Sequence, residues 1–209
     1  MTARTDPSVP DLQLDRLLLV ATGSVSAADV PFWATWLRTA YPELQVDVAV
    51  TAGARRFLAT AALHGRVTGR VVEDTWPQDA TTARHVDFAE WAQAILIFPS
   101  TFHYTARLAL GLADSPSLLA AQCTTAPVVL APALPPGGTR SVAYQQHVRA
   151  LAERENTRVV PPRPGVSTTT GRHDSWAPAL LPDCIAQVEQ VRRTLAGGAP
   201  LGRPIPRSA

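Results

Sequence analysis

A histidine and a hydroxyl-rich segment flank the most apolar run of this 209-residue chain. His85 precedes the run 94–98, which reads Ala-Ile-Leu-Ile-Phe and leads directly into Pro99-Ser100-Thr101. Unbroken apolar runs are typical of parallel strands buried on both faces, and open α/β sheets bind ligands at the carboxyl ends of such strands. Because an imidazole titrates near neutral pH, His85 is the best candidate for a catalytic acid or base. Asp87 either orients this imidazole or faces water.

A second hydroxyl-rich segment, Thr22-Gly23-Ser24-Val25-Ser26, lies between a predicted strand at 14–21 and a predicted helix at 27–40. The N–H groups at a helix start bind phosphate, and Gly23 would let an anion approach the backbone closely. An ordinary helix N-cap explains the same residues equally well. The segment matches neither the dinucleotide G-x-G-x-x-G pattern nor a Walker loop, so the phosphate interpretation favours a mononucleotide such as FMN.

The alternation of predicted elements indicates an α/β protein, with a parallel sheet covered by helices on both faces. Thr51 ends a predicted strand at 46–50, so its hydroxyl either reaches the same ligand as Ser24 or lies in a solvated turn. The segment 161–179 is long and rich in Pro, Thr, Ser and Gly, which is typical of a lid or clamp. The other predicted strands are 71–72, 94–98, 128–130 and 158–160, and the other predicted helices are 55–63, 104–113, 141–153 and 182–195.

The composition of the chain argues against several classes of function. A net charge of +2, with scattered arginines, does not favour nucleic-acid or membrane binding. The 46% hydrophobic content suffices for one domain, predicted at 14–196 between flexible tails at 1–13 and 197–209. No apolar run reaches membrane-spanning length and no signal peptide is visible, so a cytoplasmic protein is expected. No His/Cys/Asp cluster predicts a metal site, and the hydrolase G-x-S-x-G elbow is missing.

These segments together resemble the homo-oligomeric flavin-containing cysteine decarboxylases, and among them the epidermin-type peptidyl-cysteine decarboxylases of lanthipeptide and other RiPP biosynthesis. Residues 21–26 are similar to the family's FMN-phosphate loop. His85 stands at the family's spacing for its catalytic histidine. The family motif P-A-S-A-N-T here reads Pro99-Ser100-Thr101-Phe102-His103-Tyr104. The proline is kept and the hydroxyl is kept as Thr101, whereas His103 replaces the asparagine and Tyr104 the threonine.

The family's substrate motif, P-x-M-N-x-x-M-W, is less well kept. Pro132 is retained, whereas Leu134 and Pro135 replace the methionine and the asparagine. That asparagine normally holds the carboxylate of the substrate. Its loss leaves two alternatives: either another donor, Arg140 or His103, takes this role, or the chemistry differs from that of the family.

Two further stretches carry the resemblance, which runs from Leu17 to Leu195. The stretch 108–119 matches a helix of the family, and Thr168-Thr169-Thr170-Gly171-Arg172 is similar to the flexible clamp that closes over the substrate peptide. The implied cofactor-binding residues are Gly23, Ser24, Val25, Ser26, Thr51, Ser100, Thr101 and His103. The implied substrate-binding residues are Pro132, Leu134, Arg140, Thr169, Thr170, Gly171 and Arg172.

The resemblance implies a flavodoxin-like (Rossmann-like) three-layer α/β/α sandwich, assembled as a homotrimer or homododecamer with FMN at a subunit interface. The implied reaction is the FMN-dependent oxidative decarboxylation of the C-terminal cysteine of a ribosomal precursor peptide. Its product is an enethiol, the precursor of an aminovinyl-cysteine ring, and His85 would move a proton near the reacting cysteine. The coenzyme A branch carries a clamp cysteine that returns electrons, but the segment 168–183 contains none. Other peptide-modifying enzymes are further candidate partners.

Three alternatives stay open. A phosphopantothenoylcysteine decarboxylase-like enzyme would need the missing asparagine and normally the missing clamp cysteine. A non-catalytic flavin-binding scaffold subunit is suggested by the altered motifs at 102–104 and 134–139, and it would be yellow without releasing CO₂. A flavin-free regulatory homologue would lack flavin absorbance altogether.

Overall fold

Six parallel strands form the central sheet of the chain, whose computed structural model describes residues 9–76 and 81–197. Their spatial order is β3-β2-β1-β4-β5-β6, which is the doubly wound order with a topological switch point between β1 and β4. The strands are β1 (Arg16–Ala21), β2 (Gln45–Val50), β3 (Val71–Glu73), β4 (Ala94–Thr101), β5 (Val128–Ala133) and β6 (Thr157–Val159).

Helices cover both faces of this sheet, because alternate residues along each buried strand point to opposite sides. Leu17 and Leu19 pack against α1 (Val30–Ala40) and α6 (Leu181–Gly197). Leu18 and Val20 pack on the other face, against a layer built from the remaining helices. These are α2 (Arg84–Trp91), α3 (Phe102–Ala109), α4 (Pro116–Cys123) and α5 (Val142–Ala152). The predicted three-layer α/β/α fold is therefore confirmed.

The long segment after β6 folds into a small antiparallel hairpin, here called the arm. Its strands are β7 (Arg163–Gly165) and β8 (Ser175–Ala177), and Trp176 pairs with Leu134 through reciprocal backbone hydrogen bonds of 2.9 and 3.0 Å. This pairing fastens the arm to the segment that follows β5. The segment predicted as a lid thus has strands at its base and an exposed tip at 168–173.

The predicted helix at 55–63 is wrong. The structure has two 3₁₀ turns there, Ala54–Arg56 and Thr60–Leu63, separated by extended backbone at Ala59. A helix this short depends on packing for its stability, and the segment buries only Ala54, Leu58 and Leu63.

The sequence also missed α2, which carries His85 in its first turn. Most residues of α2 are polar or partly exposed, and Phe88 is the one that is fully buried, so its apolar periodicity is weak. Packing against α4 stabilises this helix instead. Because β4 runs on to Thr101, α3 begins at Phe102, and it ends shortly before Gly111, whose φ is +74°.

Parts of the predicted tails, at 1–8 and 198–209, lie outside the described residues. Residues 9–13 lead into β1, and the backbone N–H of Gln13 donates to the Glu189 carboxylate of α6 at 3.2 Å. Within the described ranges, no helix is both long and apolar enough to cross a bilayer.

The sheet core predicts a sharp contrast between two phenylalanines. Phe98 is 1% exposed and packs edge-on against Trp33, whereas Phe32 of α1 is 64% exposed. Phe98→Ala should lower the free energy of unfolding by about 3–5 kcal/mol, because it leaves a cavity between the sheet and α1. The matched change Phe32→Ala should stay within about 0.5 kcal/mol. Chemical denaturation of both variants measures this, and equal losses would contradict the packing.

Candidate functional site

The hydroxyl of Thr22 joins the two strands at the switch point. It donates to the Pro99 carbonyl at 2.7 Å and accepts from the backbone N–H of Thr101 at 2.8 Å. Pro99 lies where the pairing of β4 with β5 shifts register, between Ile97 and Ser100. The carboxyl ends of β1 and β4 are thus fixed beside each other, which is where open α/β sheets bind ligands.

Two capped helix starts face this edge of the sheet. Ser24 caps a 3₁₀ turn and accepts from the N–H of Ser26 at 3.3 Å. Thr101 caps α3 and accepts from the N–H of Tyr104 at 3.1 Å. The N-cap interpretation of the loop after β1 is therefore correct for Ser24. It does not exclude anion binding, because the first N–H groups of a helix outnumber what one cap can satisfy.

The loops after β1 and β2 touch at two glycines. A Cβ on Gly23 would lie 2.9 Å from the backbone carbon of Gly53, which is closer than real Cβ atoms come. Thr51 supports this contact, since its hydroxyl donates to the Ala21 carbonyl at 3.0 Å. A glycine at position 23 is thus required for the two loops to close on each other.

Two adjoining clefts open at this edge and share Gly23, Thr101 and His103. The first, the arm cleft, has a volume of about 440 Å³ and lies between the loop 23–26 and the arm. The second, the inner cleft, has a volume of about 460 Å³ and reaches toward β2 and β3. Each is within the size range of small-molecule sites. They meet at these three shared residues at the switch point, and the pair is here called the trough.

Apart from His103, the arm cleft is lined by glycine, apolar and hydroxyl residues. Phe102 and Leu134 form part of its wall, and Trp176 of the arm closes one side. The further lining residues from the loops and the arm include Ala133, Pro135, Pro136, Val166, Ser167, Thr168, Thr169 and Ser175. Such a surface suits an extended peptide or a flat ring.

The inner cleft has a polar floor built on a buried carboxylate. Asp74, 6% exposed, accepts from the N–H of Ser117 at 2.9 Å and from its hydroxyl at 2.7 Å. The hydroxyls of Tyr104 and Ser117 lie 2.8 Å apart. Burial, and secondly the charge of Asp74, raise the pKa of Tyr104, so its hydroxyl stays protonated. This network holds β3, α3 and α4 together beneath the cleft.

An ion pair borders the same cleft. Arg107 donates from Nε to the Asp114 carboxylate at 2.8 Å. The hydrogen bond from Arg107 holds the pKa of Asp114 below its ordinary value, and the nearby charge of His103 adds to this effect. Asp114 and Arg107 are therefore engaged with each other, while both line the cleft. Among the described residues, no group of three or more His, Cys, Asp or Glu is arranged to hold a metal ion.

His85 lies at the same end of the sheet but outside both clefts. Its ring packs edge-on against Trp76, with ring centres 5.6 Å apart, and Trp76 Nε1 donates to the Asp114 carbonyl at 3.0 Å. Its Nδ1 is shielded from solvent and has no hydrogen-bond partner among the described residues. Asp87 does not orient the imidazole, since its carboxylate accepts from Thr82 at 3.0 Å.

Several predicted site residues lie away from the clefts. Ser100 is fully buried and its hydroxyl is 2.9 Å from that of Thr105, so it supports β4 from inside. Pro132 is buried in β5.

Arg140 lines a separate, smaller cleft beyond Trp176. Thr170, Gly171 and Arg172 form the exposed tip of the arm, and Arg172 pairs with Asp174 at 2.9 Å.

The structure brings together most of the other predicted residues. The trough is lined by Gly23, Ser24, Val25, Ser26, Thr51, Thr101, His103, Leu134 and Thr169. Sequence reasoning missed Thr22 as a clasp, Asp74 as a floor and Trp76 as the neighbour of His85. Asp74 follows β3 directly, so the rule that ligands bind at the carboxyl ends of strands could have found it.

The chain matches a known family along most of its length. The family model described as Flavoprotein matches residues 7–187. A curated relative, the cypemycin cysteine dehydrogenase (decarboxylating) of Streptomyces sp, is 37% identical over 173 residues, which are 82% of this chain and 89% of the relative.

Two solved structures of cysteine decarboxylases share the fold. The cypemycin decarboxylase CypD superposes with a TM-score of 0.73 at 33% identity, covering 88% of this chain and 97% of its own. TvaF, an FMN-dependent cysteine decarboxylase of thioviridamide biosynthesis, superposes with a TM-score of 0.66 at 30% identity, covering 72% and 91%. These matches confirm the resemblance drawn from the sequence motifs.

The contact between the two loops predicts that Gly23 controls flavin occupancy. Gly23→Ala places a methyl group against the backbone of Gly53, so the loops after β1 and β2 must separate. The purified variant should carry less than half of the flavin of the parent protein, measured by visible absorbance per protein. The matched change Gly197→Ala adds a methyl group in open space and should retain full occupancy. Equal flavin in both variants would show that the loop contact does not shape the cofactor site.

Proposed function

Because the chain belongs to the flavoprotein family, we propose that it is an FMN-dependent peptidyl-cysteine decarboxylase. It would oxidatively decarboxylate the C-terminal cysteine of a ribosomal precursor peptide. The observation that carries this proposal is the trough at the switch point, in which a cleft with a buried carboxylate adjoins a cleft of apolar and hydroxyl residues under the arm. The 37% identity with the cypemycin enzyme supports the same reaction class.

The residues of the trough fit a flavin mononucleotide. Ser24 and Ser26, with the backbone N–H groups of their loop, supply donors suited to one phosphate, and Thr101 lies across from them at the start of α3. Thr51 and the Asp74 carboxylate offer acceptors and donors suited to a polyol chain. Val25 and Phe102 present apolar surface suited to a flat ring. FMN bound here would accept the two electrons removed from the substrate cysteine.

The chain itself orients the peptide and excludes water. The arm, anchored through Trp176 and Leu134, covers the C-terminal residues of the peptide, and Thr169 lies where the tip meets the cleft. The balanced reaction converts the cysteine into an enethiol and CO₂ while the flavin is reduced. Each turnover therefore needs an external oxidant, such as dioxygen, to restore the flavin.

The two cysteines explain why the product should leave as an enethiol. Cys184 is fully buried in α6, and burial raises the pKa of its thiol to about 12. Cys123 is exposed at the end of α4 and lines neither cleft. Since the thiolate is the reactive form, Cys184 cannot return electrons to the product, and the arm holds no cysteine that could do so. The free enethiol is then available to close an aminovinyl-cysteine ring.

The position of His85 supports a role at the cleft of a neighbouring subunit. It lies on the rim of the sheet edge, outside the two main clefts of its own chain, and its side chain is partly exposed. We therefore place it as the proton-transfer residue across an interface in a homotrimer or a homododecamer. Since the substrate is a ribosomal peptide, the enzyme would act in the cytoplasm, beside other peptide-modifying enzymes.

A phosphopantothenoylcysteine decarboxylase-like activity is the second candidate, and two sequence features disfavour it. Pro135 replaces the asparagine of the family's substrate motif, and the segment 168–183 contains no cysteine. A third possibility is a scaffold subunit that binds flavin but has no activity, and the experiment in the next paragraph distinguishes it from the two enzymes.

Mass spectrometry of cysteine-ended peptides tests the proposal directly. The flavin-loaded protein is incubated in air with a short peptide ending in cysteine, and with the same peptide ending in serine. The proposal predicts that the cysteine peptide loses the mass of CO₂ and two hydrogens, while the serine peptide is unchanged. Conversion of 4′-phosphopantothenoylcysteine alone would favour the second candidate, and a yellow protein that changes neither would indicate a scaffold.

The placement of His85 predicts a separation of binding and catalysis. His85→Asn removes the titratable ring but alters none of the proposed flavin-binding residues, so flavin content should stay unchanged. Turnover of the cysteine peptide should fall about a hundredfold or more, as expected on loss of a general acid or base. The exposed His64 provides the control His64→Asn, which should behave like the parent. Normal turnover in His85→Asn would remove this residue from the mechanism.

A further inference from the structure

One side chain stands out among the residues that line the arm cleft. His103 is the single ionisable side chain among the described residues that line it, since the others are apolar, glycine or hydroxyl residues. His103 also lines the inner cleft, so it sits at the junction of the two. A substrate that loses its C-terminal carboxylate must first bring that carboxylate into this trough. Among the described residues that line the arm cleft, only His103 can pair with the negative charge of that carboxylate.

The imidazole of His103 is available for such a contact. It is exposed and makes no hydrogen bond within the described ranges. Its position in the first turn of α3 adds the positive end of a helix dipole, which favours an anion. Asp114 is near enough to interact with His103 electrostatically, but its carboxylate accepts hydrogen bonds from Arg107 and none from His103 within the described ranges.

The other positive side chains nearby are engaged or turned elsewhere. Arg107 is paired with Asp114, and Arg172 is paired with Asp174 at the arm. Arg140, a substrate-binding candidate from the sequence, lies in the separate cleft with His173 and Asp174. Trp176 borders both that cleft and the arm cleft and stands between them. An anion held by Arg140 would therefore lie away from the junction of the two main clefts.

We infer that His103 binds the C-terminal carboxylate of the substrate peptide and so selects a free C-terminus. This inference rests on the proposed function and reassigns His103 from the cofactor to the substrate. Because the carboxylate departs as CO₂, the contact is strongest before the reaction. His103 should therefore act on peptide binding more than on the rate of the chemical step.

A non-reactive ligand separates this binding role from catalysis. The ligand is a short fluorescent peptide ending in serine, made with a free carboxylate and as the carboxamide, and titrated into flavin-loaded protein. The parent protein should bind the carboxylate form about tenfold or more tightly than the carboxamide, as expected for a hydrogen bond to a charged group. In His103→Leu this preference should vanish while flavin content stays the same. His103→Gln, which keeps a donor without charge, should retain part of it.

The control variants make each outcome decisive. His64→Leu should keep the full preference, and so should Arg140→Leu. The inference would be overturned by any of three results. These are loss of the carboxylate preference in Arg140→Leu instead of His103→Leu, an unchanged preference in His103→Leu, and no preference in the parent protein. Loss of flavin in both His103 variants would assign the residue to the cofactor and would also overturn it.

Kinetics with the cysteine-ended peptide supply a second readout. His103→Leu should raise KM about tenfold or more and change kcat by less. If the parent protein binds carboxylate selectively but never decarboxylates the cysteine peptide, the proposed function fails while the assignment of His103 stands.

Discussion

The site depends on one buried hydroxyl. Thr22, 2% exposed, bonds both to the Pro99 carbonyl and to the Thr101 backbone N–H, across 77 and 79 residues of sequence. Removing this hydroxyl would destabilise the fold, because the Pro99 carbonyl and the Thr101 N–H would each lose a hydrogen bond. These two hydrogen bonds of Thr22 fix the distance between the loop after β1 and the start of α3. Both main clefts are bounded by these two segments.

The trough divides into two chemical environments on either side of this clasp. Asp74, Ser117 and Tyr104 give the inner cleft a fixed polar floor that ties three elements together. The arm covers the other cleft with apolar and hydroxyl residues, and the backbone pairing of Trp176 with Leu134 fastens it. The polar floor suits the polyol chain of the proposed cofactor, and the covered cleft suits a peptide end beside the flavin ring. His103 lies where the two environments meet.

Most of the strands and helices could be predicted from local sequence patterns. The apolar runs that became β1, β2, β4 and β5 are buried along nearly their whole length, so periodicity and composition identified them. The hydroxyls of Ser24 and Thr101 cap helix starts as their types predict. α2 and the 3₁₀ turns near Leu58 escaped prediction, because tertiary packing rather than local pattern decides them.

Long-range contacts set the limits of prediction for the site. Nothing local distinguishes Thr22 from its neighbours, since its partners lie in β4. Ser100 carries the same hydroxyl as a ligand-binding serine, and only the fold shows that it faces Thr105. The position of His85 on the rim of the sheet edge depends on Trp76 and on α2, neither of which the sequence placed.

A crystal structure of the oligomer with FMN and a serine-ended peptide tests the central claim most directly. The account predicts one flavin along the trough, with its phosphate near Ser24 and Thr101, the Thr22 clasp intact and the peptide under the arm. It also predicts that His85 of an adjacent subunit faces the flavin and the peptide end. A flavin bound elsewhere, or a trough filled by side chains while every His85 points away from it, would contradict the account.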